Sequence, residues 1–93
     1  MVPRVDIRLP SVMEPVVGGE LRFHVEAATL RDALDAAISR HPALEVHLFD
    51  ETGSFRRHVL CFHNETNSRW LDGLDGKVED GDTVTILQAV TGG

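Results

Sequence analysis

The sequence predicts an α+β fold in which a mixed sheet of four to five strands carries one main helix on one face. Three observations support this prediction. Apolar and polar residues alternate near the N-terminus and again after residue 20, which is typical of strands with one buried face. A central segment repeats apolar residues at helical spacing, and a run rich in β-branched residues lies near the C-terminus. With 93 residues, the chain has room for one modest core, so we expect a single domain over residues 1–93 with a flexible C-terminal tail over 88–93.

The first two strands are predicted to form a β-hairpin with a long connection. In each strand, apolar residues alternate with charged or polar ones, so that one face is buried and the other meets water. The connection, residues 10–19, contains two prolines and the glycine pair Gly18 and Gly19, which suits a reversal of chain direction. The apolar positions are Val5, Ile7 and Leu9 in the first strand and Leu21, Phe23 and Val25 in the second.

One clear helix follows the hairpin. Thr29 is a favourable N-cap, and Asp32 stands three residues later, where a capping box has its acidic residue. The helix should end near Arg40 and His41, because Pro42 disfavours helical geometry in the residue before it. Its apolar face consists of Leu30, Ala33, Leu34, Ala37 and Ile38.

The second half of the chain holds further strands and one ambiguous segment. Residues 43–49 are apolar but too short for their periodicity to separate helix from strand, and residues 50–54 are a predicted turn. A third main strand is predicted at His58–His63, where β-formers dominate. After it we expect a break at 64–68, a short strand at 69–71, a loop at 72–76, a tight turn at 80–82 and a final strand at 83–89.

The order of these elements is that of the β-grasp, or ubiquitin-like, fold. It runs strand, strand, helix, strand, short strand, strand, which lets one helix cover one face of a mixed sheet. In this fold the first and final strands pair in parallel at the centre of the sheet. We therefore expect the apolar face of the helix to pack on Val5, Ile7, Phe23, Val25, Val84 and Ile86.

The charge of the chain argues against two classes of partner. Nine basic and fifteen acidic side chains give a formal net charge of −6, which repels nucleic acid and anionic membranes. Eight of the nine basic residues are arginine and one is lysine. No apolar run approaches the roughly 18 to 20 residues that span a bilayer, and residues 1–6 lack the apolar segment of a signal peptide. We expect a cytoplasmic protein that binds neither nucleic acid nor membrane and is a monomer when free.

The C-terminal residues are expected to contribute little to the stability of the folded core. The tail ends in Gly92 and Gly93, and glycine loses the most conformational entropy on ordering. Such an ending is explained most simply by another protein that admits it through a narrow passage, so that the Gly93 carboxylate is the reactive group. The alternative is a frayed end or a remnant of an expression vector.

The C-terminal sequence also resembles a known family. The residues that carry the resemblance are Asp80-Gly81-Asp82-Thr83-Val84-Thr85-Ile86-Leu87 followed by Ala89-Val90-Thr91-Gly92-Gly93. They are similar to the C-terminal signature of the ThiS/MoaD family of sulfur carrier proteins, and within it most similar to the CysO-type carriers of cysteine biosynthesis. Arg57, Val59, Asn64, Gly73 and Leu74 also fit the CysO-like pattern, whereas Gln88 departs from the proline often found at its position in the family.

The resemblance implies a carrier and not an enzyme. An E1-like activating enzyme would use Mg-ATP to adenylate the Gly93 carboxylate, and a sulfur donor would displace AMP to leave a thiocarboxylate. Ala89, Val90, Thr91 and Gly92 would be recognised as the tail, and the carrier would bind no cofactor of its own. A downstream enzyme, such as a pyridoxal-phosphate-dependent cysteine synthase, would receive the sulfur.

Other pathways and functions remain open at the level of sequence. Thiamin, molybdopterin, thiolated tRNA and specialised metabolites are alternative destinations for the sulfur. A different class of function is a ubiquitin-like modifier that Gly93 joins to lysines of other proteins, and another is a non-covalent interaction domain.

Leu87 is the predicted docking residue. If Val84 and Ile86 face the helix, alternation places Leu87 with Thr85 on the opposite face, where an apolar side chain has no partner within the chain. The family resemblance also implies an apolar residue at this position against the activating enzyme. The alternative is that the loop at residues 72–76 covers Leu87.

The remaining candidate residues are expected to be structural. The five histidines, at positions 24, 41, 47, 58 and 63, lack metal-binding spacing, and the single cysteine cannot build a structural zinc site. Cys61, between Leu60 and Phe62, is predicted to be a core thiol, and Trp70 a peripheral core residue. The glycine pair in the first connection lacks the residues of a phosphate-binding loop and is expected to form a turn.

Overall fold

The computed structural model describes residues 2–67 and 74–88. Within them the sheet and the main helix follow the predicted order, with two additional short helical segments. The elements are β1 (Arg4–Arg8), a 3-10 helix (Ser11–Met13), β2 (Arg22–Glu26), α1 (Leu30–Arg40), α2 (Leu44–Leu48), β3 (Val59–His63), β4 (Thr66–Asn67) and β5 (Thr83–Gln88).

The five strands form one mixed sheet with the order β2-β1-β5-β3-β4. β1 and β5 pair in parallel, with Ile7 opposite Val84, and β5 is flanked on its other side by antiparallel β3. The parallel pair of first and last strands, with β5 at the centre of the sheet, is as predicted. This arrangement, with α1 across one face, is the β-grasp fold.

The first hairpin has the predicted alternation, but its connection does more than reverse the chain. β1 and β2 are antiparallel, with Val5 opposite Val25 and Ile7 opposite Phe23. Within the connection, Met13 is buried in the core, and the chain then turns at Gly18 and Gly19, where φ is +61° and +88°. Positive φ is readily adopted only by glycine, so the pair has the turn role that was expected.

Helix α1 begins and ends where the sequence predicts. The Thr29 side-chain oxygen accepts a hydrogen bond from the Asp32 backbone N–H at 3.1 Å, and the helix stops at Arg40. One residue of the predicted apolar face, Ile38, is only partly buried. The core consists of Val5, Ile7, Phe23, Val25, Leu30, Ala33, Leu34, Ala37, Val84 and Ile86, with Leu44, Leu48, Val59, Cys61 and other residues around them.

A cluster around Glu20 ties the end of α1 to the start of β2. The Glu20 carboxylate accepts hydrogen bonds from Arg40 Nη2 and from His41 Nε2, each at 2.7 Å. The bonds from Arg40 and then His41 lower the pKa of Glu20 to about 2. His41 also meets Phe23 edge to face, with ring centroids 5.3 Å apart. These contacts link the C-terminal end of α1 to β2 and to the residues just before it.

The segment that the sequence left ambiguous is the short helix α2. Leu44 and Leu48 are four residues apart and fully buried, whereas Val46 between them is 63% exposed. The spacing of the two buried leucines is therefore helical. Five residues are too few for this period to be separated from a strand by sequence alone.

The region after β3 differs from the prediction in one detail. The expected break is a turn at Asn64, where φ is +56°, after which Thr66 and Asn67 already pair with β3 as β4. The short strand predicted at 69–71 and Trp70 lie outside the described residues. No helix among residues 2–67 and 74–88 is long and apolar enough to cross a membrane.

Candidate functional site

The final strand brings the chain to the predicted reactive tail. Val84 and Ile86 are at most 1% exposed and face α1, which anchors β5 in the core. Gln88, which the sequence assigned to the tail, is the last residue of β5 and pairs with Val59. The predicted tail residues Ala89, Val90, Thr91, Gly92 and Gly93 lie outside the described residues.

The start of β5 is held by the carboxylate of Asp82. It accepts a hydrogen bond from the Glu79 backbone N–H at 2.8 Å and lies 2.7 Å from His63 Nε2, while Asn64 Nδ2 donates at 3.3 Å. These bonds, led by that from the Glu79 N–H, lower the pKa of Asp82. The tight turn predicted here is present, because the Asp82 N–H donates to the Glu79 carbonyl at 3.0 Å and Gly81 has φ +90°.

Asn64 connects this turn to the neighbouring strand. Its side-chain oxygen accepts a hydrogen bond from the Thr83 N–H at 2.9 Å, and its own N–H donates to the Thr83 carbonyl at 2.7 Å. The first residue of β5 is thus bonded to the β3–β4 turn, and the Asp82 carbonyl before it accepts a hydrogen bond from the Asp6 N–H of β1 at 2.9 Å. The strand that leads to the tail therefore has a fixed position and register.

An apolar patch lies on the face of the sheet opposite α1. Leu87 is 42% exposed, as the alternation along β5 predicts. Leu60 of β3 is directly opposite Leu87, and Phe62 is opposite Thr85, so that they share its face. We call Leu60, Phe62 and Leu87 the apolar patch. It adjoins the end of β5, one residue before the strand stops.

A basic cluster occupies the other half of the same face. The Asp6 carboxylate is 2.9 Å from Arg8 Nε, 3.7 Å from Arg22 Nη2 and 4.0 Å from His24 Nε2. Asp6 is opposite Thr83 across the β1–β5 pair, which places these side chains beside β5. We call Arg8, Arg22 and His24 the basic cluster; two guanidinium groups here lie near one carboxylate, whereas the whole chain has a net charge of −6.

Three of the five histidines lie beside acidic side chains, and the cysteine lies in the core. His41 contacts Glu20, His63 contacts Asp82 and His24 lies near Asp6. In the described part of the chain, no group of three metal-binding side chains comes together. Cys61 is 1% exposed, opposite Ile86 in the core.

Sequence reasoning predicted that Leu87 would be exposed on this face but did not place Leu60 and Phe62 beside it. Leu60 and Phe62 were recognised as strand residues, yet their place beside Leu87 depends on the pairing of β3 with β5. The available signal was the alternation within β3, where Val59 and Cys61 are buried and Leu60 and Phe62 are not. Alternation shows which residues share a face of one strand, whereas register between distant strands needs the fold.

Comparison with known proteins adds information that geometry alone does not carry. The model of the ThiS family matches residues 7–93. The sulfur carrier protein CysO of Mycobacterium tuberculosis is 30% identical over 91 residues, which cover 96% of this chain and 98% of CysO. The small archaeal modifier protein 1 of Haloferax volcanii is 33% identical over 66 residues, 71% of each chain.

Solved structures lead to the same group of proteins. A chain of the Amycolatopsis orientalis BexX/CysO complex matches with a TM-score of 0.84 and 34% identity, over 96% of this chain and 99% of that one. The SAMP1 protein of Haloferax volcanii matches with a TM-score of 0.80 and 28% identity, over 97% of this chain and 99% of that one. The likeness therefore extends over the whole fold.

Proposed function

The chain belongs to the ThiS family, and on that premise we propose that it is a sulfur carrier whose Gly93 carboxylate is converted to a thiocarboxylate. The observation that carries the proposal is the extent of the family match, which runs to residue 93 and so includes Gly92 and Gly93. The relatives are small sulfur carrier or ubiquitin-like proteins and not catalysts. The chain is accordingly not an enzyme, and its chemistry takes place on partner enzymes.

The chemistry follows from the weakness of a carboxylate as an electrophile. An E1-like enzyme would transfer AMP from Mg-ATP to the Gly93 carboxylate and release pyrophosphate, which supplies a good leaving group. Sulfide from a donor would then attack the carbonyl carbon and expel AMP, leaving C–S in place of C–O. Because Gly93 has no side chain, its carbonyl is open to attack. The residues before it, Ala89 to Gly92, would be read by the channel of the activating enzyme.

The fold supports this function by holding in a fixed place the strand that precedes the C-terminal residues. Val84 and Ile86 anchor β5 under α1, and the Asp82 network fixes its start. An enzyme that binds the sheet face next to Gln88 would thus hold the following residues at a defined place. The chain itself supplies positioning and no catalytic base.

The apolar patch and the basic cluster are the surface that we assign to the activating enzyme. Leu87 would be the anchor, since an exposed leucine at a strand end gains most by being covered. Leu60 and Phe62 extend the apolar contact, and Arg8 and Arg22 would face acidic groups of the partner. The existence of a complex between a CysO protein and BexX supports docking of a partner protein by such carriers.

Cysteine biosynthesis is the destination that the relatives favour. The sequence match to CysO covers 96% of this chain and that to the modifier 71%; the solved CysO and SAMP1 chains cover 96% and 97% of it, at 34% and 28% identity. The acceptor would then be an aminoacrylate on a pyridoxal-phosphate enzyme, which the nucleophilic thiocarboxylate attacks. Thiamin, molybdopterin or a specialised metabolite are the alternative products.

Intact-mass spectrometry tests the proposal. The full chain is incubated with its E1-like enzyme, Mg-ATP and sulfide, and a carrier gains about 16 Da because sulfur replaces oxygen. Omission of ATP should prevent the gain. If the enzyme, ATP and sulfide leave the mass unchanged while the partner is active on another carrier, the chain is not a sulfur carrier.

A ubiquitin-like modifier is the second candidate function, and the relation to small archaeal modifier protein 1 favours it. In that case the activated Gly93 carbonyl would be attacked by lysine amines of other proteins and not by sulfide. The same experiment in a cell extract separates the two, because a modifier appears as conjugates of higher mass.

A further inference from the structure

Lys77 is the only lysine in the chain, and the other eight basic residues are arginine. This difference matters for a protein whose own carboxyl group is activated. A lysine ammonium can lose a proton and become a nucleophilic amine, whereas the guanidinium of arginine is not deprotonated in proteins. Lys77 is therefore the only side-chain amine that can compete with sulfur for the activated carbonyl.

We propose that Lys77 is an acyl acceptor site, at which one copy of the chain receives the activated C-terminal carboxyl group of a second copy. The inference rests on the proposed activation of Gly93, but it names an acceptor that activation alone does not specify. Self-conjugation then gives a single type of isopeptide linkage, between Gly93 of one copy and Lys77 of another.

The backbone around Lys77 is fixed while its side chain meets solvent. Lys77 bridges to Thr29, and the Val78 N–H donates to the Ala28 carbonyl at 3.1 Å. The Leu30 N–H donates to the Gly76 carbonyl at 3.0 Å, so that residues 76–78 are bonded to the start of α1. Val78 is buried, whereas Lys77 is exposed. The Lys77 amine therefore extends into solvent from a backbone segment that is held in place.

In the described structure, no acidic side chain forms an ion pair with the Lys77 amine. Asp75 and Glu79 are equally near along the chain; Asp75 pairs with Arg31 at 3.4 Å, and Glu79 is exposed. Among residues 2–67 and 74–88, Lys77 itself takes part in no ion pair. A second copy can therefore approach Lys77 without first displacing a partner.

The position of Lys77 favours transfer between copies over transfer within one chain. β5 has six residues and spans about 17 Å, and Lys77 precedes its start, beside Thr29. The five residues after Gln88 extend at most about 18 Å. If the tail folded back along β5, its full length would only reach Thr83. The 79–82 turn would still separate Gly93 from Lys77 of the same chain.

The chemical step is an acyl transfer without redox change. The neutral Lys77 Nζ attacks the Gly93 carbonyl carbon of a thioester on the second copy, a C–N bond forms and the C–S bond breaks. The thiol leaves with the proton that the amine releases. From an acyl adenylate, AMP would be the leaving group.

The test uses the full chain as a Gly93 thioester, prepared by thiolysis of an intein fusion without any activating enzyme. The thioester is incubated at mildly alkaline pH, and the products are identified by intact mass and by peptide mapping. We expect a covalent dimer linked through Lys77, formed at an initial rate that rises with the square of the protein concentration. Lys77→Arg, which keeps the charge, should reduce the dimer at least about tenfold and leave thioester hydrolysis unchanged.

Three results would overturn the inference. They are a wild-type thioester that hydrolyses without forming a dimer, a dimer that persists in Lys77→Arg because the N-terminal amine is the acceptor, and a cyclised monomer. Circular dichroism checks that Lys77→Arg is folded. Since the thioester is made chemically, the outcome does not depend on whether an E1-like enzyme adenylates Gly93.

Discussion

Leu60 and Leu87 lie directly opposite each other on β3 and β5, on the face of the sheet that α1 leaves uncovered. An isolated exposed leucine needs no explanation, but Leu87 lies beside the half-buried Leu60 and Phe62, and the three form a continuous apolar surface. This surface ends where β5 ends. The pairing thus extends the proposed partner-binding face to the end of β5, from which the chain continues into the predicted reactive tail.

Leu87→Asp is expected to weaken binding of the activating enzyme by about 1 to 2 kcal/mol, because an interface anchor is replaced by a charge. The stability of the free protein should change little, since Leu87 is 42% exposed. Isothermal titration calorimetry measures the affinity, and thermal unfolding measures the stability.

A matched control for this variant is Val46→Asp, which places the same charge at a 63% exposed position on α2. It should leave the affinity unchanged. If both variants bind as the wild type does, or if Leu87→Asp unfolds the protein, the assignment of Leu87 to docking is wrong.

Deletion of Gly93, or Gly92→Phe, should abolish activation while the free energy of unfolding stays within about 0.5 kcal/mol of the wild type. The reason is that the reactive carboxyl group is displaced or its passage blocked, whereas neither residue belongs to the described core. ATP–pyrophosphate exchange with the activating enzyme provides the measurement. Val46→Phe adds the same ring away from the tail and should exchange normally, and retained exchange in the tail variants would contradict the carrier mechanism.

Leu34→Ala should cost about 2 to 5 kcal/mol of stability, because it removes a large side chain from the core under α1. Leu34 is 2% exposed. Urea unfolding measures the change, with Asp35→Ala on the exposed side of the same helix as the control. Equal midpoints for the two variants would show that α1 does not pack through Leu34.

Asp82→Asn should destabilise the protein by about 1 to 3 kcal/mol at neutral pH, since hydrogen bonds to a charged acceptor are lost. The folded-state pKa of Asp82 lies below its ordinary value of 3.8, so this stabilisation is present above pH 3.8 and disappears as pH falls through the folded pKa. The difference between wild type and variant should therefore shrink in acid.

Denaturant unfolding over a series of pH values measures this difference. Asp75→Asn is the control, because the Asp75 side chain is 84% exposed and its pair with Arg31 is 3.4 Å long. A difference for Asp82→Asn that stays constant or grows below pH 3.8 would contradict the assigned role of its carboxylate.

The fold could be predicted from local patterns because each main element has its own signal. The Thr29 cap is present as predicted, and the alternation in β1 and β2 gave the correct buried faces. The parallel pairing of β1 with β5 followed from the order of elements. These are features in which local preference and the global fold agree.

The remaining features depend on contacts between distant residues. The helical state of residues 44–48 is set by the burial of Leu44 and Leu48, which short sequence patterns do not resolve. The Asp82 network joins residues 63, 64, 79 and 82, and the apolar patch needs the β3–β5 register. Such contacts form only when distant segments come together in the fold, so they cannot be predicted from any one segment of the sequence.

The central position of β5 has a mechanical consequence. The strand is hydrogen-bonded to β1 on one side and to β3 on the other, and these bonds lie across the strand direction. A pull applied to the residues after Gln88 acts along β5 and loads both sets of bonds in shear, so that they must break together. An enzyme that binds the tail and pulls on it would therefore meet the resistance of both sets of hydrogen bonds, and the domain would stay folded.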